Sequence, residues 1–245
     1  MQRCSVKKKL IDKKLKYILG QMLIDIVSNE GALEELKWYF CKRGNRITRD
    51  SFFRNYVWAV WVAGKSYKSA KTFLEKAQEF GFSWDYKEFG SLTRREFESF
   101  VRKLHKNKPR AFKMWESIYK LAKKLKTYKT EKEFRDEFFS GKTDPSTFSD
   151  KDVRRLLDMN LGFIGEASAR FILRNMGGEF IKDDVWIKTF CNFIGIDDLE
   201  TLKRILNNLG IRYGLFDVIV WTYGSFLVGR KDNFAKKLKL LESSK

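Results

Sequence analysis

The chain has 245 residues, and 50 Lys and Arg against 31 Asp and Glu give it a net charge of +19. A surface this basic attracts polyanions, so nucleic acid is the leading partner, ahead of an anionic membrane surface. The alternative is the lysine-rich surface of a heat-adapted protein, but there Glu would rise together with Lys. The longest apolar runs, such as 57–63 and 218–221, are far shorter than the ~20 residues that span a bilayer. We therefore expect no membrane insertion and, because the first residues do not resemble a signal peptide, an intracellular protein of the cytoplasm or nucleoid.

The cysteines and the histidine give no support for a metal or cofactor. Cys4, Cys41 and Cys191 are too few and too scattered for a disulfide framework or a four-cysteine iron-sulfur cluster. A single histidine, His105, excludes a His-rich zinc site, and its lysine-rich surroundings place it at the surface. Hydrolysis by a metal ion that carboxylates alone hold is the remaining alternative, although no cluster of Asp and Glu suggests such a site. We therefore expect the protein to need neither a metal nor a cofactor.

The spacing of apolar residues predicts an all-α protein, organised as one compact domain or two small lobes. Only two prolines occur, and apolar residues recur at intervals of three and four. The apolar spacing predicts a helix at Leu10, Leu15, Ile18, Leu19, Met22, Leu23 and Ile26, the inner face of a second at Phe73, Ala77 and Phe80, and a third helix over 111–122. Asn107 to Pro109 interrupts the helical pattern before the third of these helices.

A helix-hairpin-helix is predicted at about residues 150–176. The loop 141–152 is rich in Gly, Pro, Ser, Thr and Asp, and Ser149 with Asp152 forms a capping pattern for a helix over 150–159. The turn 160–165 then contains Gly162 and Gly165 and leads into a second helix that begins near Glu166. Backbone N–H groups at such a turn, with the positive end of the helix dipole behind them, can bind a phosphate without any side-chain charge.

Three segments together resemble the helix-hairpin-helix DNA glycosylase superfamily, and archaeal-type 8-oxoguanine DNA glycosylases in particular. The hairpin LGFIG at 161–165 is similar to the family's leucine-proline-glycine-valine-glycine, with Gly162 in place of proline and Phe163 in place of the first glycine. The segment DVWI at 184–187 matches the family's catalytic aspartate motif, and GLFDVIVWTYGS at 214–225 resembles its carboxy-terminal helix. The resemblance covers 150–230 well and the amino-terminal half weakly.

The resemblance implies a two-lobed helical fold and a set of site residues. The catalytic carboxylate would be Asp184, in a loop and helix at about 177–195, and the helix start that it occupies also suits a plain N-cap. The implied DNA-binding residues are Gly162, Phe163, Gly165, Ala167 and Lys188. The implied substrate-binding residues are Trp186, Phe216, Asp217 and Trp221, although Phe216 and Trp221 would equally suit the core and Asp217 a surface or capping position.

The implied activity is removal of a damaged or mismatched base from double-stranded DNA by a monomeric enzyme. The base is flipped out, and the aspartate stabilises the developing oxocarbenium ion and orients an attacking water. Bifunctional members of the family have a lysine where this chain has Ala167, which predicts a monofunctional enzyme. A displaced lysine, Lys182 or Lys188, is one alternative, although Lys188 also suits an i,i+4 partner of Asp184. A non-catalytic DNA-binding protein is the other.

Overall fold

The computed structural model describes residues 2–42, 47–63, 65, 67–105 and 108–243. Asn107 lies outside these residues, as do the side chains of Cys4 and Cys41, but one helix ends at Leu104 and the next begins at Pro109, so the break predicted at Asn107 to Pro109 is confirmed. The described part of the chain is helical and has no strand, which confirms the predicted all-α class.

The helices follow one another with short connections. In chain order they are α1 (Gln2–Val27), α2 (Glu30–Lys42), α3 (Arg49–Val62), α4 (Tyr67–Glu79), α5 (Tyr86–Phe89), α6 (Arg94–Leu104), α7 (Pro109–Thr127), α8 (Glu131–Phe139), α9 (Asp150–Asp158), α10 (Glu166–Asn175), α11 (Val185–Ile194), α12 (Leu199–Asn208), α13 (Tyr213–Trp221) and α14 (Lys231–Ser243). A short 3₁₀ turn covers Pro145–Thr147, and a π-helix over Thr222–Val228 continues α13.

Side-chain caps fix the start of many of these helices. Thr48, Thr130 and Asp198 each accept a hydrogen bond from the first turn of α3, α8 and α12 respectively. Thr93 and Glu96 form a reciprocal capping box at the start of α6. Each such cap satisfies a backbone N–H group that the helix itself leaves unpaired, which is why these sequences begin helices where they do.

One compact unit comprises residues 1–42 and 179–245, which form α1, α2 and α11 to α14. The predicted helix is confirmed, and the core of this unit includes the inner face of α1, where Leu15, Ile18, Leu19, Met22 and Ile26 are buried. Leu10 belongs to α1 as predicted but is 65% exposed. At 100° per residue Leu10 lies roughly 140° around the helix from Leu15. Ile11 packs against the core in its place.

The other compact unit comprises residues 43–178, with α3 to α10, and has an aromatic core. Phe52 of α3 packs against three phenylalanines of α8 at ring-centroid distances of 5.0 to 5.8 Å. The buried residues of α4 are Ala70, Leu74 and Ala77. Phe73, also predicted on the inner face, is half-buried, with its ring centroid 4.2 Å from that of Trp61. Phe80 was predicted on this face, but α4 ends at Glu79 and Phe80 is 38% exposed in the following turn.

His105 is half-buried against this aromatic core, whereas the sequence predicts a surface position. Its ring stacks on Trp61, with centroids 5.8 Å apart and planes 7° apart, and on Phe73 at 5.0 Å. Burial lowers the pKa of His105, and the positive charges of Lys108 and Lys65 lower it further. The lysine-rich sequence around His105 gave no indication that Trp61, 44 positions earlier, would cover the ring.

Candidate nucleic-acid interface and active site

The two helices of the predicted hairpin are α9 and α10, which pack against each other. The predicted capping pattern is confirmed, since the Ser149 backbone N–H donates to the Asp152 carboxylate over 2.7 Å. Arg170 of α10 forms ion pairs with Asp150 at 2.8 Å and with Glu166 at 2.9 Å. This arginine therefore links the first turns of both helices and compensates the acidic side chain at each start.

The turn between the helices has left-handed backbone at three residues. The φ angles are 48° at Asn160, 76° at Gly162 and 54° at Phe163. Glycine and asparagine adopt this conformation readily, whereas a bulky residue such as phenylalanine is strained in it. Phe163 thus has the backbone of a glycine at the position where the resembled family has one. Its side chain is 39% exposed.

Tyr56 of α3 is hydrogen-bonded to the backbone of this turn. Its buried hydroxyl donates a hydrogen bond to the Gly162 carbonyl oxygen at 2.9 Å and also lies within hydrogen-bond distance of the Leu161 carbonyl oxygen. Burial raises the pKa of Tyr56, so the hydroxyl stays protonated and remains a donor. The conformation of the turn is therefore fixed by a residue about a hundred positions earlier in the chain.

Gly165 is the N-cap residue of α10 and leaves the helix start open. Its φ of −99° is accessible to any residue, and no side chain caps the helix. A Cβ atom placed on Gly165 would meet no described atom within 4 Å. Neither backbone conformation nor packing among the described residues requires a glycine here. Because Gly165 has no side chain, a ligand can closely approach the backbone N–H groups of the first turn of α10. This turn includes Ala167, which is half-buried.

Asp184 is the N-cap residue of α11, as predicted. Its Oδ1 accepts hydrogen bonds from the backbone N–H groups of Trp186 at 2.9 Å and Ile187 at 3.1 Å. Its Oδ2 lies 3.1 Å from the Lys182 ammonium, and the Asp184 side chain is 13% exposed. The carboxylate is therefore held in one orientation, with one oxygen committed to the helix and the other to a cation.

The two lysines that flank Asp184 form different ion pairs. Of the two interpretations of Lys188, an exposed phosphate-binding residue or an i,i+4 partner of Asp184, the second is wrong, because its ammonium lies 3.3 Å from Asp183. Lys182 pairs with Asp184 instead. The reason is that the N-cap carboxylate turns back over the first N–H groups of α11, while the Lys188 side chain, 63% exposed, extends outward.

Three of the predicted substrate-binding residues are buried in the compact unit that contains residues 179–245. Phe216 is fully buried and packs edge-on against Phe190, with centroids 5.4 Å apart, and Trp221 is 4% exposed. Asp217 is 1% exposed, and its carboxylate accepts a 2.7 Å hydrogen bond from the Lys182 backbone N–H. Contact with a base requires accessible surface, which these side chains do not have in this structure. Asp217 instead contacts the loop that leads to Asp184.

Trp186, the fourth of these residues, is half-buried and packs closely on two elements that follow it. Its ring lies against Phe234 of α14, with centroids 5.6 Å apart. A Cβ atom at Gly224, in the π-helix, would be 2.5 Å from the Trp186 ring. Only glycine at 224 leaves room for this tryptophan, whose backbone N–H binds Asp184.

A metal site, a reactive thiol and a membrane-spanning helix each have requirements that the described residues do not meet. No group of three or more His, Cys, Asp or Glu side chains there is arranged to hold a metal ion. Burial raises the pKa of the Cys191 thiol to about 12, with further contributions from Asp183 and Asp198, which keeps the thiol protonated at neutral pH. None of the helices described combines the length and apolarity needed to cross a membrane.

Comparison with known proteins identifies the fold. No protein-family model matches the chain, and no curated protein matches it in sequence. The chain is similar to the crystal structure of Methanocaldococcus jannaschii 8-oxoguanine glycosylase/lyase in complex with a 15mer DNA containing 8-oxoguanine. The two share 15% sequence identity with a TM-score of 0.51, over 86% of this chain and 94% of that chain. The chain therefore has the all-helical fold of a DNA glycosylase.

Proposed function

We propose that the protein is a monofunctional DNA glycosylase that removes a damaged or mismatched base from double-stranded DNA, acting as a monomer in base-excision repair. The observation that supports this most directly is the arrangement of Asp184. A carboxylate fixed by two backbone N–H groups and still 13% exposed is a preorganised negative charge. Such a group is what cleavage of a base from its sugar requires.

In the proposed reaction, the bond between the base and C1′ of the deoxyribose breaks and its electron pair leaves with the base. Positive charge develops on the sugar, and the Asp184 carboxylate stabilises it. Water then attacks C1′, and the proton that it loses ends on the released base, which left as an anion. Because Oδ1 is committed to the helix, Oδ2 is the oxygen available to the sugar or the water, and Lys182 has to share or release it.

DNA binding in this proposal depends on the hairpin and on the positive charge of the chain. The open N-terminus of α10, at Gly165 and Ala167, would bind a backbone phosphate through main-chain N–H groups. Gly162 and Phe163 shape the turn beside it. Lys188 would contribute a phosphate contact near Asp184 through its exposed ammonium. Trp186 remains the proposed substrate contact with partly accessible surface.

Excision from a panel of duplexes tests this proposal. Each duplex contains one lesion, namely oxidised guanine, an alkylated purine, uracil or a mismatched thymine, and release of the base is measured. For the lesion that is processed, Asp184→Asn should reduce the rate ~100-fold or more, because it removes the charge opposite the developing cation. The amide oxygen still caps α11, since Asn is about as good an N-cap as Asp.

Asp183→Asn is the matched control. It changes the net charge equally, one residue away, but Asp183 is 44% exposed and pairs with Lys188. Its excision rate should stay within a few-fold of the unmodified protein. Equal losses in both variants would remove Asp184 from its assigned role, and DNA binding without excision on any lesion would favour a non-catalytic DNA-binding protein. Circular dichroism of both variants verifies folding.

A second activity, glycosylase combined with strand cleavage, is favoured by one observation. The Lys182 ammonium lies 3.1 Å from the Asp184 carboxylate. Proton transfer to Asp184 would leave a free amine that attacks C1′, expels the base and, after the sugar ring opens, forms a Schiff base. Borohydride reduction would trap this intermediate covalently. Trapping that is lost in Lys182→Gln but kept in Lys188→Gln would establish the bifunctional reaction, and no trapping in the unmodified protein would exclude it.

A further inference from the structure

We infer that Phe163 is an apolar wedge that contacts the base stack of DNA next to the phosphate bound by the start of α10. This inference rests on the proposed DNA-binding function and adds the side chain that meets the bases. The occupant to which it commits is a weakly stacked step of duplex DNA, such as one at an abasic site or a mismatch.

The first observation is the backbone of Phe163. A φ of 54° is left-handed, and a phenylalanine there is strained, whereas glycine would adopt the same conformation freely. Gly162, directly before it, has a φ of 76°, so the turn places two consecutive residues in this region. Strained residues of this kind cluster at functional sites, because the surrounding fold has to hold them in place.

The second observation is the exposure of the ring. Phe52 and Phe53, in the core of the same unit, are fully buried, whereas Phe163 is 39% exposed. Packing within the protein therefore uses only part of the surface of this ring. A large apolar side chain that is both strained and partly exposed gains its full burial only against a partner.

The third observation is that hydrogen bonds fix the backbone turn that carries Phe163. The Tyr56 hydroxyl holds the carbonyl groups of Leu161 and Gly162, the two residues before Phe163. A side chain presented from a fixed turn loses little further freedom on binding. Two residues after Phe163, the bare backbone of Gly165 opens the start of α10 to a phosphate.

The chemistry of the partner follows from this arrangement. A phosphate held at α10 places the adjacent sugar and base within the neighbourhood of the hairpin, and the net charge of +19 favours a polyanion over an apolar protein surface. Phenylalanine is one of the residues that DNA-bending proteins insert between base pairs. Unstacking costs least where the stack is already interrupted, which favours an abasic site or a mismatch as the partner.

Binding of duplexes with and without an abasic-site analogue tests the wedge. Phe163→Gly and Phe163→Ala both remove the ring, and both should weaken binding to the abasic duplex roughly 5- to 100-fold, the range for loss of one base–aromatic contact. Phe80→Ala is the matched control, because Phe80 belongs to the same unit and is 38% exposed, and its binding should not change. A 2-aminopurine beside the abasic site should change fluorescence with the unmodified protein and not with the Phe163 variants.

Thermal unfolding separates loss of the ring from loss of the fold. Phe163→Gly should melt at a higher temperature than Phe163→Ala, because a positive φ angle is strained for alanine and unstrained for glycine. Binding within twofold of the unmodified protein in either folded variant would overturn the wedge. A protein that shows the wedge effect but excises no lesion would refute the proposed activity and leave the wedge standing, whereas absence of DNA binding would refute both.

Discussion

The carboxylate of Asp217 accepts a hydrogen bond from the backbone N–H of Lys182 over 2.7 Å. This contact joins α13 to the loop before α11, and Lys182 is also the residue whose ammonium pairs with Asp184. A buried side chain on one helix therefore fixes the backbone of a residue that contacts the proposed catalytic carboxylate. We predict that Asp217 acts as a positioning residue for Asp184.

Replacement of Asp217 should loosen the loop before Asp184. Asp217→Ala leaves the Lys182 N–H without this acceptor, which we expect to cost ~1–3 kcal/mol of stability in urea unfolding. Excision should slow through kcat more than through KM, because the carboxylate geometry changes while the hairpin does not. Asp217→Asn keeps an acceptor oxygen and should restore part of the rate, and Asp232→Ala, at an exposed position, should alter neither quantity. A rate unchanged in Asp217→Ala would contradict the positioning role.

Tyr56→Phe should affect the hairpin specifically. The substitution removes only the hydroxyl that holds the Leu161 and Gly162 carbonyl groups, and leaving those groups unpaired should cost ~1–3 kcal/mol in urea unfolding. Tyr119→Phe is the matched control, since the hydroxyl of the buried Tyr119 donates to the Leu92 carbonyl oxygen at 2.7 Å and not to a carbonyl group of the turn. Both variants should lose comparable stability, but only Tyr56→Phe should bind duplex DNA more weakly. Equal DNA binding in the two would show that the turn needs no anchor.

Titration of His105 should reveal its burial directly, because it is the sole histidine of the chain. Burial, with help from Lys108 and Lys65, holds its pKa below the ordinary value of about 6.5. Between the two values the unfolded chain binds more protons than the folded one. This contribution to stability is therefore complete above about pH 6.5 and is lost as the pH falls below it. The NMR signal of the ring gives the pKa, and His105→Phe should remove this part of the pH dependence. A measured pKa at or above 6.5 would contradict the stacked position.

Binding to duplex DNA should weaken steeply with salt. Each phosphate neutralised by Lys or Arg contributes about −0.9 to the slope of log K against log salt concentration. Lys188→Gln should reduce the slope by about one such unit, because the 63% exposed Lys188 ammonium is proposed to contact a phosphate near Asp184. Lys37→Gln, at a similarly exposed position of α2, is the charge-matched comparison. A slope near zero would remove nucleic acid as the partner.

Local sequence was sufficient for the parts of the structure that depend on neighbouring residues. The buried face of α1 from Leu15 to Ile26 and the capping box at Ser149 follow from periodicity and from a pattern of four residues. Asp184 at the start of α11 follows in the same way. These features are set within one or two turns of helix, so the sequence contains all of the information that they need.

The contacts that connect distant segments could not be predicted from local sequence. Nothing around Tyr56 indicates that its hydroxyl reaches Gly162, and the pairing of Lys182 rather than Lys188 with Asp184 depends on how the cap turns. Asp217 resembled a pocket residue by its place in a family motif, but burial and its bond to a backbone N–H depend on tertiary packing. Polar residues are especially hard to place, because the same carboxylate serves a ligand, a cap or a loop.

The close contact between Gly224 and Trp186 restricts how this protein can evolve. A methyl group at 224 would lie 2.5 Å from the tryptophan ring, and displacement of that ring would move a backbone N–H that binds Asp184. A lineage that acquired any side chain at position 224 would therefore need a smaller residue at 186 to keep the carboxylate in place. Among homologous sequences, these two positions should vary together, 38 residues apart in the chain.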